Sequence, residues 1–162
     1  MRLAWLLVQT TALVPRHRWV GPATRRMAAV VQDGDDDPLI QYLVLRRDLQ
    51  ERDRWPLGAL VAQGAHAAVG AIAESYGDPN TAAYVAPAAL GSMTKAVLEI
   101  KGEAQLTALA AKLASAGVKH KLWVEMPENI PTCLATAPAR KSDLAPHFKK
   151  CQLAKWRDPP AT

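Results

Sequence analysis

Gln63 and His66 lie three residues apart in an alanine- and glycine-rich stretch, and they are the residues in it best suited to chemistry. An imidazole exchanges a proton near neutrality, which suits an acid–base task. A glutamine amide holds a hydroxyl, a carbonyl or a water but has no basic atom to take a proton. A histidine in an alanine-rich helix is also frequently a packed or capping group, so His66 has a structural reading beside the chemical one. Further along, Glu125 and Asn129 belong to the loop Glu125-Met126-Pro127-Glu128-Asn129-Ile130-Pro131. Two prolines and two acids make it a poor hairpin and a suitable place from which polar groups project; the plainer reading is a loop acid and an Asx-type turn. Arg46 and Arg47 precede Asp48, and Arg54 follows. Asp48 reads as an organiser of the chain there rather than a reacting group. His17, His66, His120 and His147 are scattered, and Cys133 and Cys151 form neither a CxxC pair nor a metal-spaced set. No structural metal is expected, and the cysteines suit a reducing compartment. Cys133 reads as a small core residue rather than a nucleophile.

These groups need elements to hold them. On a wheel of 100° per residue, Leu57, Leu60, Val61, Gly64, Ala65, Ala68, Val69, Ile72 and Tyr76 share one arc of a helix over residues 57–76. That arc is expected in the core, with Ala59, Gln63, His66 and Gly70 opposite it. Gly64, Ala65, Ala67 and Ala68 keep the helix slim, so that something can approach its backbone closely. Before it, the nearly continuous apolar run Leu39–Leu45 predicts a buried strand, and Trp55-Pro56 an extended entry to the helix. The turn Gly77–Asn80 follows, then a weak helix over 81–90 containing Pro87, and a strand over 95–100. Leu106, Leu109, Ala110 and Leu113 mark another helix, with Gly117 just past its end. Strands over 118–124 and 132–137 and a helix over 141–150 complete the order. The fold class is α/β: a three-layer α/β/α domain with a small, mixed, mostly parallel four-stranded sheet.

The chain carries a net charge of +5, but its first 32 residues hold five arginines and no acid. From residue 33 onward, fifteen basic residues meet fifteen acidic ones. The expected domain, 38–155, therefore carries basic patches at most, one at Arg46, Arg47, Arg52 and Arg54 and another at Lys141, Lys149, Lys150 and Lys155. Residues 1–37 read as a flexible or processed extension and 156–162 as a tail. The apolar run Leu3–Val14 is too short to span a bilayer, and no membrane partner is expected. Localisation is expected to be cytoplasmic, or mitochondrial if the Arg-rich start is a transit segment.

Residues 42–70 carry a resemblance. Arg46-Arg47-Asp48-Leu49 is followed by Gly58-Ala59-Leu60-Val61-Ala62-Gln63-Gly64-Ala65-His66-Ala67. This resembles the type 2 peptidyl-tRNA hydrolases, in which a strand ending Arg-x-Asp-Leu precedes Gly-Lys-x-x-x-Gln-x-x-His-Ala on a long helix. The resemblance runs through residues 39–155, and Trp55-Pro56 and Met126-Pro127-Glu128-Asn129 are similar to a divergent, domain-containing branch of that family. It implies hydrolysis of the ester between a peptide and the 3′ ribose of tRNA, no cofactor, tRNA or peptidyl-tRNA as partner, and a homodimer. It implies a functional set of Gln63, Glu125 at the family's Asp and Asn129 at its Thr; the residues' own chemistry adds His66, with Arg46, Arg47, Asp48 and Arg54 read as tRNA phosphate contacts or structural support. Ala59 stands where the family has its lysine. Losing one preorganised donor of that kind commonly costs about 2.7–4 kcal/mol. The resemblance thus leaves two functions open, a hydrolase and a catalytically impaired relative that binds tRNA or a protein partner through the same surface.

Overall fold

The computed structural model describes residues 37–155. The expected tail, residues 1–36 of the expected extension and the transit-segment reading lie outside them. Asp37, counted with that extension, is bonded through its carboxylate to Ser142.

Strand β1 (Leu39–Arg46) is central because both of its faces are covered. Ile40, Tyr42 and Val44 enter one core with Leu98, Leu134, Leu144 and Phe148, whereas Leu43 enters a second with Cys133 and Ala135. A strand buried on both sides reads as a continuous apolar run, and this one does. Its polar member, Gln41, is fully buried and donates through Nε2 to the carbonyls of Ala68 and Thr136, tying a helix to the sheet.

From β1 the chain passes a single turn, α1 (Asp48–Glu51), into α2 (Leu57–Glu74), then α3 (Pro79–Tyr84) and β2 (Thr94–Ile100). Helix α4 (Glu103–Ser115), β3 (His120–Glu125) and β4 (Ile130–Thr136) follow. Gly117, at φ 70°, closes α4, with the N–H of Val118 reaching back to the carbonyl of Leu113. Beyond β4 come β5 (Ala139–Arg140), α5 (Lys141–Leu144), a 3₁₀ turn and β6 (Gln152–Leu153).

The sheet has six strands rather than the expected four, because the two-residue pieces β5 and β6 add to β1 and β2. Its order is β3-β4-β1-β2-β6, with β5 paired to β1. It is mixed as expected, but only β1 and β2 run parallel, where a mostly parallel sheet was expected. The short C-terminal additions carry too few residues to show a period. The weak helix expected over 81–90 ends at Tyr84, short of Pro87. The helix expected over 141–150 stops at Leu144, because Pro146 has no N–H to continue it.

The three layers are as expected: α2 lies on one face of the sheet, and α4 and α5 lie on the other. The face that α2 buries is only partly the expected one: Leu60, Gly64 and Ala68 of the expected arc are inside, but the helix is rotated so that Gln63, Ala67 and Ala71 join them. Leu60, Gln63, Gly64, Ala67, Ala68 and Ala71 turn inward, whereas Leu57, Val61, Val69 and Tyr76 are exposed, Val69 to 67%. Size decided this. An alanine and glycine face lets the helix axis approach Leu43, Cys133 and Ala135 closely, which a row of valines would prevent.

Candidate active site

Turning the small face of α2 inward carries Gln63 with it, so this side chain is buried rather than presented to solvent. It is not wasted in apolar packing. Thr132 Oγ1 donates to Gln63 Oε1 at 2.7 Å. With its oxygen committed, the amide keeps Nε2 as its remaining donor.

Thr132 reaches Gln63 because of a β-bulge. Pairing between β3 and β4 steps from Trp123 opposite Cys133 to Val124 opposite Pro131, which leaves Thr132 unpaired. The extra residue breaks the alternation and re-aims its side chain toward α2. Beneath the bulge, the buried Arg46 donates through Nη1 to the Pro131 carbonyl at 2.8 Å and to Glu103 at 2.7 Å. Its Nε and Nη2 grip both oxygens of Asp48 at 3.0 and 2.8 Å. A guanidinium fork matches a carboxylate in this way, so Arg46 and Asp48 clamp the end of β1, the start of β4 and the start of α4 together.

His66 lies one turn beyond Gln63 and is exposed. Its ring stacks on Trp123, with centroids 4.7 Å apart and planes 18° apart. The indole N–H of Trp123 donates in turn to Glu125 Oε2 at 2.8 Å. Stacking leaves the edge nitrogens of the imidazole clear, and the indole fixes one oxygen of the carboxylate. Asn129 is exposed at φ 56°, a left-handed conformation that asparagine tolerates better than most residues, and it closes the turn of the β3–β4 loop.

The site residues thus form two groups between α2 and the β3–β4 pair, Gln63 with Thr132 and His66 with Trp123 and Glu125. Ala59 sits one helical turn before Gln63, with no charged group of its own. Among the other candidates, Arg46 and Asp48 are interior and structural in their contacts. Arg47 pairs with Glu51 and Glu99 toward the opposite edge of the sheet, and Arg54 is exposed at φ 58°. Thr132 and Trp123 were not legible as site residues. A strict two-residue period places Thr132 with Leu134, on the other face, and only the bulge overturns that.

The profile of the family Peptidyl-tRNA hydrolase PTH2 matches residues 39–154, from the first residue of β1 to just past β6. The chain belongs to the PTH2 family of peptidyl-tRNA hydrolases. Two relatives extend the match. The human protein described as "Putative peptidyl-tRNA hydrolase PTRHD1" is 45% identical over 141 residues, covering 86% of this chain and 99% of the relative. The mouse protein of the same description is 43% identical over the same length and shares. In this PTH2 chain the motif residues Gln63 and His66 lie against β4 and β3, and with Glu125 they form its candidate active site.

Proposed function

We propose that this PTH2 chain hydrolyses the ester joining a peptide to the 3′ ribose of tRNA. The reading is carried by the stack of His66 on Trp123, whose indole anchors Glu125, with Gln63 one helical turn before His66 and held by Thr132 of the neighbouring strand. Water attacks the ester carbonyl carbon and gives its proton to His66. Glu125, pinned at Oε2 by Trp123, orients that water with its other oxygen. Gln63 Nε2 donates to the carbonyl oxygen as negative charge collects there. The bond from carbonyl carbon to ribose oxygen then breaks, and the proton passes from His66 to that oxygen. The products are a peptide acid and a tRNA with a free terminal hydroxyl. No metal or cofactor takes part in this scheme.

The test is cleavage of peptidyl-tRNA by the full-length protein. Gln63→Ala should lower kcat about 100-fold or more, and His66→Ala by about 100-fold or more. Intact peptidyl-tRNA, under conditions where another PTH2 protein cleaves it, would remove the proposal.

Ala59 supports a second reading, a relative that binds tRNA or a protein partner on this surface without turnover. Saturable tRNA binding with no single-turnover cleavage would select it. A large gain on Ala59→Lys would place the defect at the missing cation. For either reading, we propose a homodimer through the exposed stripe of Leu57, Val61 and Val69 on α2 with Tyr76 just past its end; a monomer in sedimentation across the micromolar range would exclude it.

A further inference from the structure

At the opposite edge of the sheet, a cavity of about 780 Å³ opens between the end of β2, the outer face of α4 and the segment leading into β6. Its walls join residues that are far apart in the chain. Arg47 and Lys101 come from the ends of β1 and β2, Lys112 from α4, and Lys149 and Lys150 from the C-terminal segment. Arg47 from one basic patch of the sequence and Lys149 and Lys150 from the other thus line one hollow. Lys101, Lys112, Lys149 and Lys150 have no carboxylate partner among the described residues. The single acid in the wall, Glu99, is already engaged by Arg47 and by the backbone N–H of Lys155. The rest of the lining is apolar at Ile100, Ala108, Leu109 and Pro146, with the amides of Gln105 and Gln152.

Lysines on a plain solvated surface spread apart or pair with acids. Here they line a concave site whose volume suits a small ligand and whose lining mixes apolar side chains with a few polar groups. This lining suits a ligand that combines clustered negative charge with a largely apolar body carrying hydrogen-bonding edges. We propose that this cavity binds a nucleotide, phosphates on the lysines and base against the apolar side chains, either as a free nucleoside polyphosphate or as a nucleotide of an RNA strand. The site is separate from Gln63 and His66, and binding there requires no ester cleavage.

Cys151 lines the cavity and is half-buried, whereas Cys133 is fully buried in the core, so the two thiols provide a reporter and an internal control. The experiment follows N-ethylmaleimide alkylation of each cysteine in the full-length protein by peptide mass spectrometry, alone, with ATP, or with a single-stranded RNA hexanucleotide. A saturable slowing at Cys151 of about fivefold or more is expected with at least one probe. The double variant Lys112→Ala/Lys149→Ala should need about tenfold more of that probe at an unchanged Tm. Protection by ATP but not by the hexanucleotide identifies a free nucleotide; protection by the hexanucleotide identifies RNA. Calorimetric titration of the same probes gives occupancy if Cys151 reacts too slowly to follow. No binding of either probe at millimolar concentration, or equal protection of the double variant, overturns the proposal. Because Gln63→Ala should leave this protection intact, failure here and failure of the hydrolase reading are distinguishable.

Discussion

Gln63 shows how one hydrogen bond can turn a burial cost into a functional constraint. A buried amide without a partner is expensive, and the Thr132 hydroxyl removes that expense while dictating which end of the amide stays available. Thr132→Val should therefore destabilise the protein by about 1–3 kcal/mol, read from urea unfolding. It should also lower any cleavage rate, because the freed amide can rotate. Arg46 acts one step further out, holding the bulge through the Pro131 carbonyl. Arg46→Ala strips a partner from Asp48 in a largely desolvated setting, and about 3–5 kcal/mol of stability should be lost. Arg46→Lys should recover only part of it, since an ammonium cannot span both carboxylate oxygens. Gln63, His66 and Glu125 were legible as chemical groups from their types and from the motif around them. Their connectors were not, because Thr132 is aimed by a bulge and Trp123 by stacking, and neither leaves a spacing signature.

At the scale of the element, α2 is the lesson. Its periodicity admits two inward faces, one of larger aliphatics and one of alanine and glycine, and the hydrophobic pattern favours the first. Packing chose a face between them: Leu60, Gly64 and Ala68 of the first stay inside, and Ala67 and Ala71 lie with Leu43, Cys133 and Ala135 while Val61 and Val69 turn outward. Three substitutions separate the alternatives in thermal unfolding. Val69→Lys, on the exposed stripe, should change stability by less than about 0.5 kcal/mol. Ala67→Leu, at a fully buried position, should cost about 1–3 kcal/mol by overpacking. Gly64→Ala should be neutral or stabilising by up to about 1 kcal/mol, because its new methyl meets only Leu43 Cδ2 at 3.4 Å. If the stripe is a dimer face, Val69→Lys will also shift sedimentation toward the monomer.

Across the whole molecule, charge is arranged locally rather than globally. The Lys119 ammonium and the Asn80 N–H hold the Asp78 carboxyl below its ordinary range, and the hydroxyl and N–H of Ser142 do the same for Asp37. Carboxyls lowered in the folded state bind fewer protons there than when unfolded. Their contribution is complete above about pH 4 and is lost as pH falls through the lowered folded values. Tm should therefore decline on acidification below about pH 4, and Asp78→Asn should flatten that decline. By itself, the sequence determined the α/β class, the family, the end of α4 and the strand at the centre of the sheet, because caps, glycine turns and doubly buried strands are written in neighbouring residues. The tertiary structure alone decided which face of α2 is buried, how β5 and β6 extend the sheet, that a bulge delivers Thr132 to Gln63, and that lysines from three distant segments line one cavity. Those outcomes depend on side-chain volume and on contacts between residues far apart in the chain, and no local pattern encodes either.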